Sequence, residues 1–379
     1  MKILFVTRGF PSDKDPMSGN YEAVQAKAIA AKGHEVVVVS VKFRNLLHIF
    51  QNWKIHYRMV DGVHIYECNR MNLYYPFHTP KVDIYAKRWQ FKRVFSKVVN
   101  ERGMPDVVHA HLIQHAVYAA IVKDVFRLPF VITEHWTRMN TEHIPQVTMR
   151  KMFVYQDADR VICVSDALAK NLKRMCNVQS VVIHNMVSDQ FFKSLKIDRH
   201  DAAFRFIAVG ALRRNKRFDI LIESFALCSF PEEVTLSIVG EGEEREIIEN
   251  KIRENNLGKQ VKLLGVKTPE EVNSLLCQSD CFVLSSRLET FAIVVIEAMA
   301  KGLPVIATKS GGPETFVRQE DGLLVEKENA EDLARAMKYM TEHYTDYNGE
   351  EIRRYCYDNF SQDVIANMII DVYKQVIKK

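Results

Sequence analysis

Two glutamates eight apart, Glu289 and Glu297, bracket an apolar run in "LETFAIVVIEAMAKGLPVIAT" (288–308). A carboxylate pair can bind hydroxyls, hold a cation or exchange protons. Spacing alone does not choose, because Glu241 and Glu249, Glu320 and Glu328, and Glu342 and Glu350 repeat it. The surroundings discriminate. Glu289 falls in the short connection between an apolar strand, "CFVLSS" (281–286), and a helix, "AIVVIEAMAKG" (292–302). The backbone N–H groups of Thr290, Phe291 and Ala292 then open that helix and face an anion. Glu297 lies two turns in, among apolar residues, where an unpaired charge is costly. Two ribose hydroxyls would be suitable donors to it; a local basic group would serve as well.

Other stretches could add to this chemistry. "VGALRRNKRFDILIESF" (209–225) puts Arg213, Arg214, Lys216 and Arg217 in one loop after a strand. Such cations suit a diphosphate, or simply solvate a loop. "TKSGGPETF" (308–316) places Gly311 and Gly312 between a strand and a helix. Paired glycines admit a phosphate or sugar close to backbone N–H groups, or make an ordinary tight turn. "DKD" (13–15) has the form of a metal-binding Asp-x-Asp but reads as surface charge before Pro16, so no metal is expected. "GEG" (240–242) is a poor dinucleotide fingerprint, since Arg245 stands at the third glycine position. His109 and His111 alternate on one strand and are read as not facing together, with His109 structural and His111 bordering a cleft.

These residues need elements to position them. "KILFVT", "EVVVVS", "DVVHAH", "FVITEH", "RVICVS" and "VVIHN" read as strands in residues 1–193. "FRFIAVG", "TLSIVG", "VKLLG", "CFVLSS", "PVIAT" and "GLLVE" restart the pattern after the polar linker "SLKIDRHDAA" (194–203). Near-continuous apolar runs are what parallel strands buried on both faces require. The reading is α/β, with two doubly wound, Rossmann-like domains facing across a cleft: 1–193, and 204–360. Ligands of such sheets bind beyond the carboxyl ends of the strands. A last helix, about 361–379, starts at Ser361, keeps Val364, Met368, Ile369, Val372 and Val376 on one face, and crosses back to the first domain.

Composition bounds the rest. The 379 residues are 47% hydrophobic and 26% charged, ordinary for globular domains. No apolar run reaches the roughly 18 residues of a membrane span, and Ile3–Val6 is too short for a signal-peptide core, which predicts a cytoplasmic chain. Seven scattered cysteines suit reduced thiols. Residues 1–188 carry 26 Lys and Arg against 15 Asp and Glu, and the remainder 26 against 32. A basic first half and acidic second half imply different partners. "KFRNLLHIFQNWK" (42–54) and "YAKRWQFKRVFSK" (85–97) mix cations with aromatics, which suits either packing on the sheet or a peripheral contact with an anionic membrane. No nucleic-acid motif accompanies the charge.

The order of "GALRRNKRFDIL", "VGEGEE", "ETFAIVVIE" and "SGGPETF" over about 140 residues resembles the donor-binding half of retaining glycosyltransferases of family 4, glycosyl transferases group 1, with the GT-B fold. "GHEVVVV", "DVVHAHL", "VICVSDALAKNL" and "VVIHNMV" extend the resemblance to nearly the whole chain. It implies transfer of a hexose or N-acetylhexosamine from a nucleotide-diphosphate sugar to a hydroxyl of a glycan or lipid-linked acceptor. Retention, no cofactor and no metal are implied with it, in cell-surface polysaccharide or lipopolysaccharide synthesis. Glu297 would hold the ribose and Glu289 the transferring sugar. Lys216 would neutralise the departing diphosphate, and His135 would line the reaction centre. Gly19, Thr290, Phe291, Ala292, Gly311 and Gly312 would approach the donor closely, and His111 lies on the acceptor side. Two positions depart from the family pattern: Ala211 stands where an Arg is usual, which leaves Arg213 or Arg214 to replace it, and Ala292 stands where a Gly is usual. A GT-B epimerase or a non-catalytic nucleotide-sugar binder are the alternatives on the same fold.

Overall fold

A computed structural model describes residues 1–12, 15, 18–44, 54–71, 80–141, 144, 146–193 and 203–378. Asp13 and Lys14 of "DKD", residues 45–53 of the first basic segment and residues 194–202 of the linker lie outside them. The chain divides into two units, Met1–His184 with Gln362–Lys379, and Asn185–Ser361.

Among the described residues the first unit is built on eight strands: β1 (Lys2–Thr7), β2 (Glu35–Arg44), β3 (Ile55–Val60), β4 (Val63–Met71), β5 (Val107–His111), β6 (Phe130–Glu134), β7 (Arg160–Cys163) and β8 (Ser180–Val182). They run in the order β3-β4-β2-β1-β5-β6-β7-β8, parallel except for β3 against β4. Ile3, Leu4, Phe5 and Val6 on β1 are wholly buried, as a strand covered on both faces must be. The β3–β4 hairpin went unread in the sequence. Its turn is Asp61–Gly62, both at positive φ (47° and 77°), the two-residue signal that favours a hairpin.

The last helix, Gln362–Ile377, packs on the Asn20–Ala31 helix of this unit, and Lys32 pairs with Asp363. Its buried face is Ile365, Ile369, Val372, Tyr373 and Val376. Met368, expected on that face, is 43% exposed, and Tyr373 takes the inward place.

Among the described residues the second unit has six parallel strands: β9 (Phe204–Val209), β10 (Val234–Val239), β11 (Val261–Leu263), β12 (Cys281–Leu284), β13 (Val305–Thr308) and β14 (Gly322–Val325). Their order is β11-β10-β9-β12-β13-β14. The chain leaves β9 toward β10 on one side and returns to β12 on the other. The strand order therefore reverses between β9 and β12, and the carboxyl ends at such a reversal are where open α/β sheets bind ligands. Among the described residues no helix is long and apolar enough to cross a membrane. None of the seven cysteines is in a disulfide.

Candidate functional site

The loops that leave β9, β12 and β13 meet at that reversal. The β9 loop closes with a 3₁₀ turn, Arg214–Lys216. Lys216 Nζ donates to Glu289 Oε1 at 2.6 Å, and Ser286 Oγ donates to the same oxygen at 2.7 Å. The backbone fixes both partners. Ser285 Oγ donates to the Lys216 carbonyl at 2.8 Å, Arg287 N to Asn215 O at 2.8 Å, and Glu289 N to Ser310 O at 2.9 Å. Thr308 Oγ1 donates to Ser286 O at 2.6 Å and ties in the β13 loop. The two residues read as separate devices, Lys216 and Glu289, are thus one ion pair, with side chains 21% and 9% exposed. Ser286, which completes it, was not singled out in the sequence; its only signal was its place at a strand's carboxyl end.

Gly312 is where close approach is needed. A Cβ there would lie 2.7 Å from the backbone of Phe291, so only glycine lets the β13 loop lie against that peptide. The Gly311 N–H donates to both oxygens of Glu314, at 3.0 and 2.8 Å, and so already addresses a carboxylate. Ala292 has φ 72° and ψ 67°, a left-handed conformation that costs an L-residue energy, and it caps the Ile293–Met299 helix. The Thr290 hydroxyl is buried with no hydrogen-bond partner among the described residues.

Burial pushes the Glu297 carboxyl up to about 8. Among the described residues no Lys, Arg or His is paired with Glu297, so the basic partner weighed for it is not found. The other eight-spaced glutamates contrast with it. Glu241 and Glu249 both pair with Arg245, and Glu328 pairs with Arg217. Arg217 is committed to Asp219 and Glu328, whereas Arg213 and Arg214 are exposed and carry no ion pair among the described residues.

Gly19, His111 and His135 belong to the first unit. Gly19 has φ 66° and precedes the Asn20–Ala31 helix; a Cβ on it would strike the Gly9 carbonyl at 2.1 Å. His109 and His111 do face together, which corrects the sequence reading. Their ring centroids are 4.5 Å apart, because side chains repeat every two residues along a strand and i and i+2 share a face. Both nitrogens of His109 are bonded inside the unit, Nδ1 to Tyr373 OH at 2.6 Å and Nε2 to Thr133 Oγ1 at 2.7 Å. Burial, then the neighbouring His135, lowers its pKa to about 3. His111 is also held well below the ordinary range, by burial and then by the other histidines. Its ring stands edge-on to His135 at 5.8 Å. Nε2 of His111 and of His135 are both buried without a hydrogen-bond partner among the described residues.

Glu134, beside His135, was also missed. It is wholly buried and accepts four hydrogen bonds, from the N–H groups of Ile113, His135 and Trp136 and from Tyr155 OH. Among the described residues no group of three or more His, Cys, Asp or Glu could hold a metal ion.

Comparison with known proteins converges on one family. Residues 189–374 match the family model described as glycosyl transferases group 1, and residues 20–191 match glycosyltransferase family 4. The chain is 26% identical over 372 residues to N-acetyl-alpha-D-glucosaminyl L-malate synthase of Bacillus anthracis, covering 93% of this chain and 92% of the relative. It is 26% identical over 354 residues to the putative teichuronic acid biosynthesis glycosyltransferase TuaC of Bacillus subtilis, covering 89% and 88%. Among solved structures, Anabaena HepE in complex with UDP-glucose superposes with a TM-score of 0.75 at 20% identity, over 99% of this chain and 100% of that one.

Proposed function

The chain belongs to glycosyltransferase family 4 with the GT-B fold, and from that premise we propose that it transfers a hexose or N-acetylhexosamine, with retention, from a nucleoside-diphosphate sugar to a hydroxyl. The acceptor is a glycan or lipid-linked saccharide of cell-surface polysaccharide synthesis, and no metal takes part. The observation that carries this reading is the Lys216–Glu289 pair at the reversal between β9 and β12. A cation held there by a carboxylate is poised to change partners when a diphosphate arrives.

In this reading Glu289 turns to the hydroxyls of the sugar while Lys216, with Arg213 or Arg214, takes the charge of the leaving diphosphate. The acceptor attacks from the face the diphosphate leaves, and a β-phosphate oxygen receives the acceptor's proton. The Gly312–Phe291 contact and the buried Thr290 hydroxyl support a closely fitted sugar pocket. Glu297, half-buried and without a cation among the described residues, suits two ribose hydroxyls. Gly19 approaches the phosphates, and His135, with His111 on the acceptor side, presents imidazole nitrogens to the reacting sugar. The UDP-glucose complex of the similar HepE structure makes a UDP-linked donor the first to test, and the related N-acetyl-alpha-D-glucosaminyl L-malate synthase suggests N-acetylglucosamine as one of its sugars.

A cytoplasmic, peripheral location at an anionic membrane fits the basic first unit. On the Pro80–Arg102 helix, Tyr85 and Trp89 are 72% and 61% exposed, one turn apart, and Lys92 and Arg93 are exposed on the next turns. An exposed aromatic pair beside cations is the composition of an interfacial helix.

The test is a thermal-shift panel of UDP, GDP, ADP and TDP sugars on wild type and Glu297→Ala. A ligand at a hundred times its dissociation constant adds about 2.7 kcal/mol of stability. A shift from one nucleotide, lost in the variant, is expected. Silence from every nucleotide sugar would overturn the donor assignment. Donor consumption without acceptor would replace transfer by epimerisation.

A further inference from the structure

We propose that Glu134 is a positioning residue for the transfer reaction, locking the loops after β5 and β6 so that His135 presents its ring in one orientation. The proposal rests on the role given to His135 above.

The geometry is that of a hub. Oε1 accepts from His135 N at 2.9 Å and Trp136 N at 2.7 Å. Oε2 accepts from Ile113 N at 2.9 Å and Tyr155 OH at 2.6 Å. Every partner is a donor, and among the described residues no cation pairs with this wholly buried carboxylate. A buried charge without a counter-ion is an expensive way to join four groups, and apolar packing would join them more cheaply. What only a carboxylate offers is acceptor capacity on both oxygens with no donor to clash. The Tyr155 phenol is kept protonated by burial and then by the Glu134 charge, so it remains a donor.

The hub also sits beside strain. Leu112, between His111 and Ile113, has φ 67° and ψ 143°, an unusual conformation for leucine. Its N–H donates to Thr133 O at 2.9 Å, and the next N–H, of Ile113, goes to Glu134. A strained turn persists only where its surroundings over-determine it, and such turns gather at functional sites. Glu134 thereby fixes the turn that follows His111 and the turn that begins at His135. The unpartnered Nε2 atoms of both rings remain available for a ligand.

The experiment is a double-mutant cycle of Glu134→Gln and His135→Ala, read as kcat, donor KM and melting temperature. The amide keeps the shape but must turn an NH2 toward two of the four donors. Misplacement of a positioned group costs up to about a hundredfold in rate. Glu134→Gln is therefore expected to lower kcat by roughly ten- to a hundredfold with donor KM within about twofold. It should add nothing in the His135→Ala background, because it acts through that ring. An equal fractional loss in both backgrounds, or a loss carried wholly by KM, would overturn the proposal. If His135→Ala is inactive while Glu134→Gln has full kcat, positioning fails and the His135 reading survives. If His135→Ala keeps full kcat, the His135 reading itself fails, and the proposal with it. Should Glu134→Gln not fold, Tyr155→Phe in the same cycle carries the test, since it removes one donor and leaves the carboxylate; a several-fold kcat loss, absent with His135→Ala, is the expected result, and independent losses overturn it.

Discussion

The loops of the two units handle polarity in opposite ways. Beyond β9 and β12 the groups are charged or able to change charge, and partly wetted: a Lys216–Glu289 pair, two exposed arginines without ion pairs among the described residues, and a carboxyl whose pKa is pushed up to about 8. Beyond β5 and β6 they are buried and fixed: His109 and His111 have pKa values pushed far down and stay neutral, and one carboxylate is held in place by N–H and O–H donors. A site that must receive and release an anionic leaving group needs charges able to change partners. A site that holds neutral hydroxyls needs donors and acceptors that stay put. In the proposed reaction the two units would divide those tasks, and each could then be disrupted without the other.

The largest effect belongs to the charged side. Lys216→Ala should lower kcat by roughly a hundredfold or more, since one preorganised donor to a developing anion is typically worth about 3–4 kcal/mol. Melting temperature should fall as well, because the buried Glu289 keeps its Ser286 bond but loses its counter-ion. Turnover near wild type in a steady-state assay would dissolve the contrast between the units.

Next comes Glu297, where the sign follows from protonation. The unfolded carboxyl loses its proton near 4.5 and the folded one near 8, so between those values the native state holds a proton that the unfolded state has lost. Stability from this group is therefore lost as pH rises through that window. Glu297→Gln should raise the melting temperature of the nucleotide-free protein at pH 8 and leave it unchanged at pH 4. After allowance for partial exposure the gain is on the order of 2 kcal/mol, or several degrees. Ribose hydroxyls favour the ionised acceptor, so wild-type nucleotide affinity should rise from pH 6 to 8 and that of the variant should not. Calorimetry at both pH values would show it, and a pH-independent affinity in wild type would remove Glu297 from the ribose.

The neutral side responds differently. Tyr373→Phe strips His109 Nδ1 of its partner deep in the first unit. An orphaned buried nitrogen costs about 1–3 kcal/mol, so denaturation should show that loss while kcat holds. A matching fall in kcat would mean that the last helix reaches the chemistry.

How much of this was legible beforehand followed the range of the interactions. β1 was readable at its observed bounds, Lys2–Thr7, because a buried parallel strand announces itself as an apolar run. Lys216, Glu289 and Gly312 could be singled out because each sits in a loop marked by local charge or glycine. Ser286 and Glu134 could not, because their value lies in partners supplied by other loops: Glu134 meets Ile113 and Tyr155, each 21 residues away. The β3–β4 hairpin was within reach, since Asp61–Gly62 between alternating strands was a sufficient signal. The facing of His109 and His111 was a misapplied period, not missing information.

Ala292 gives the smallest effect and the finest test of the charged side. Its left-handed backbone costs an alanine roughly 1–2 kcal/mol relative to glycine. Glycine returns about 0.5–1 kcal/mol of that through the freedom it gains in the unfolded chain. Ala292→Gly should therefore stabilise the second unit by some tenths of a kcal/mol, up to about 1. The residue is 8% exposed at the helix start beside Phe291, where the backbone meets the proposed sugar. Removing its methyl should leave nucleoside diphosphate affinity unchanged and raise affinity for the intact nucleotide sugar, a difference that paired titrations would resolve. If both affinities fall, the methyl packs the pocket and the strain is the cost of a better wall. If only the sugar nucleotide gains, Ala292 limits how closely the backbone approaches the hexose, and the strain is stored at the point of contact with the group being transferred.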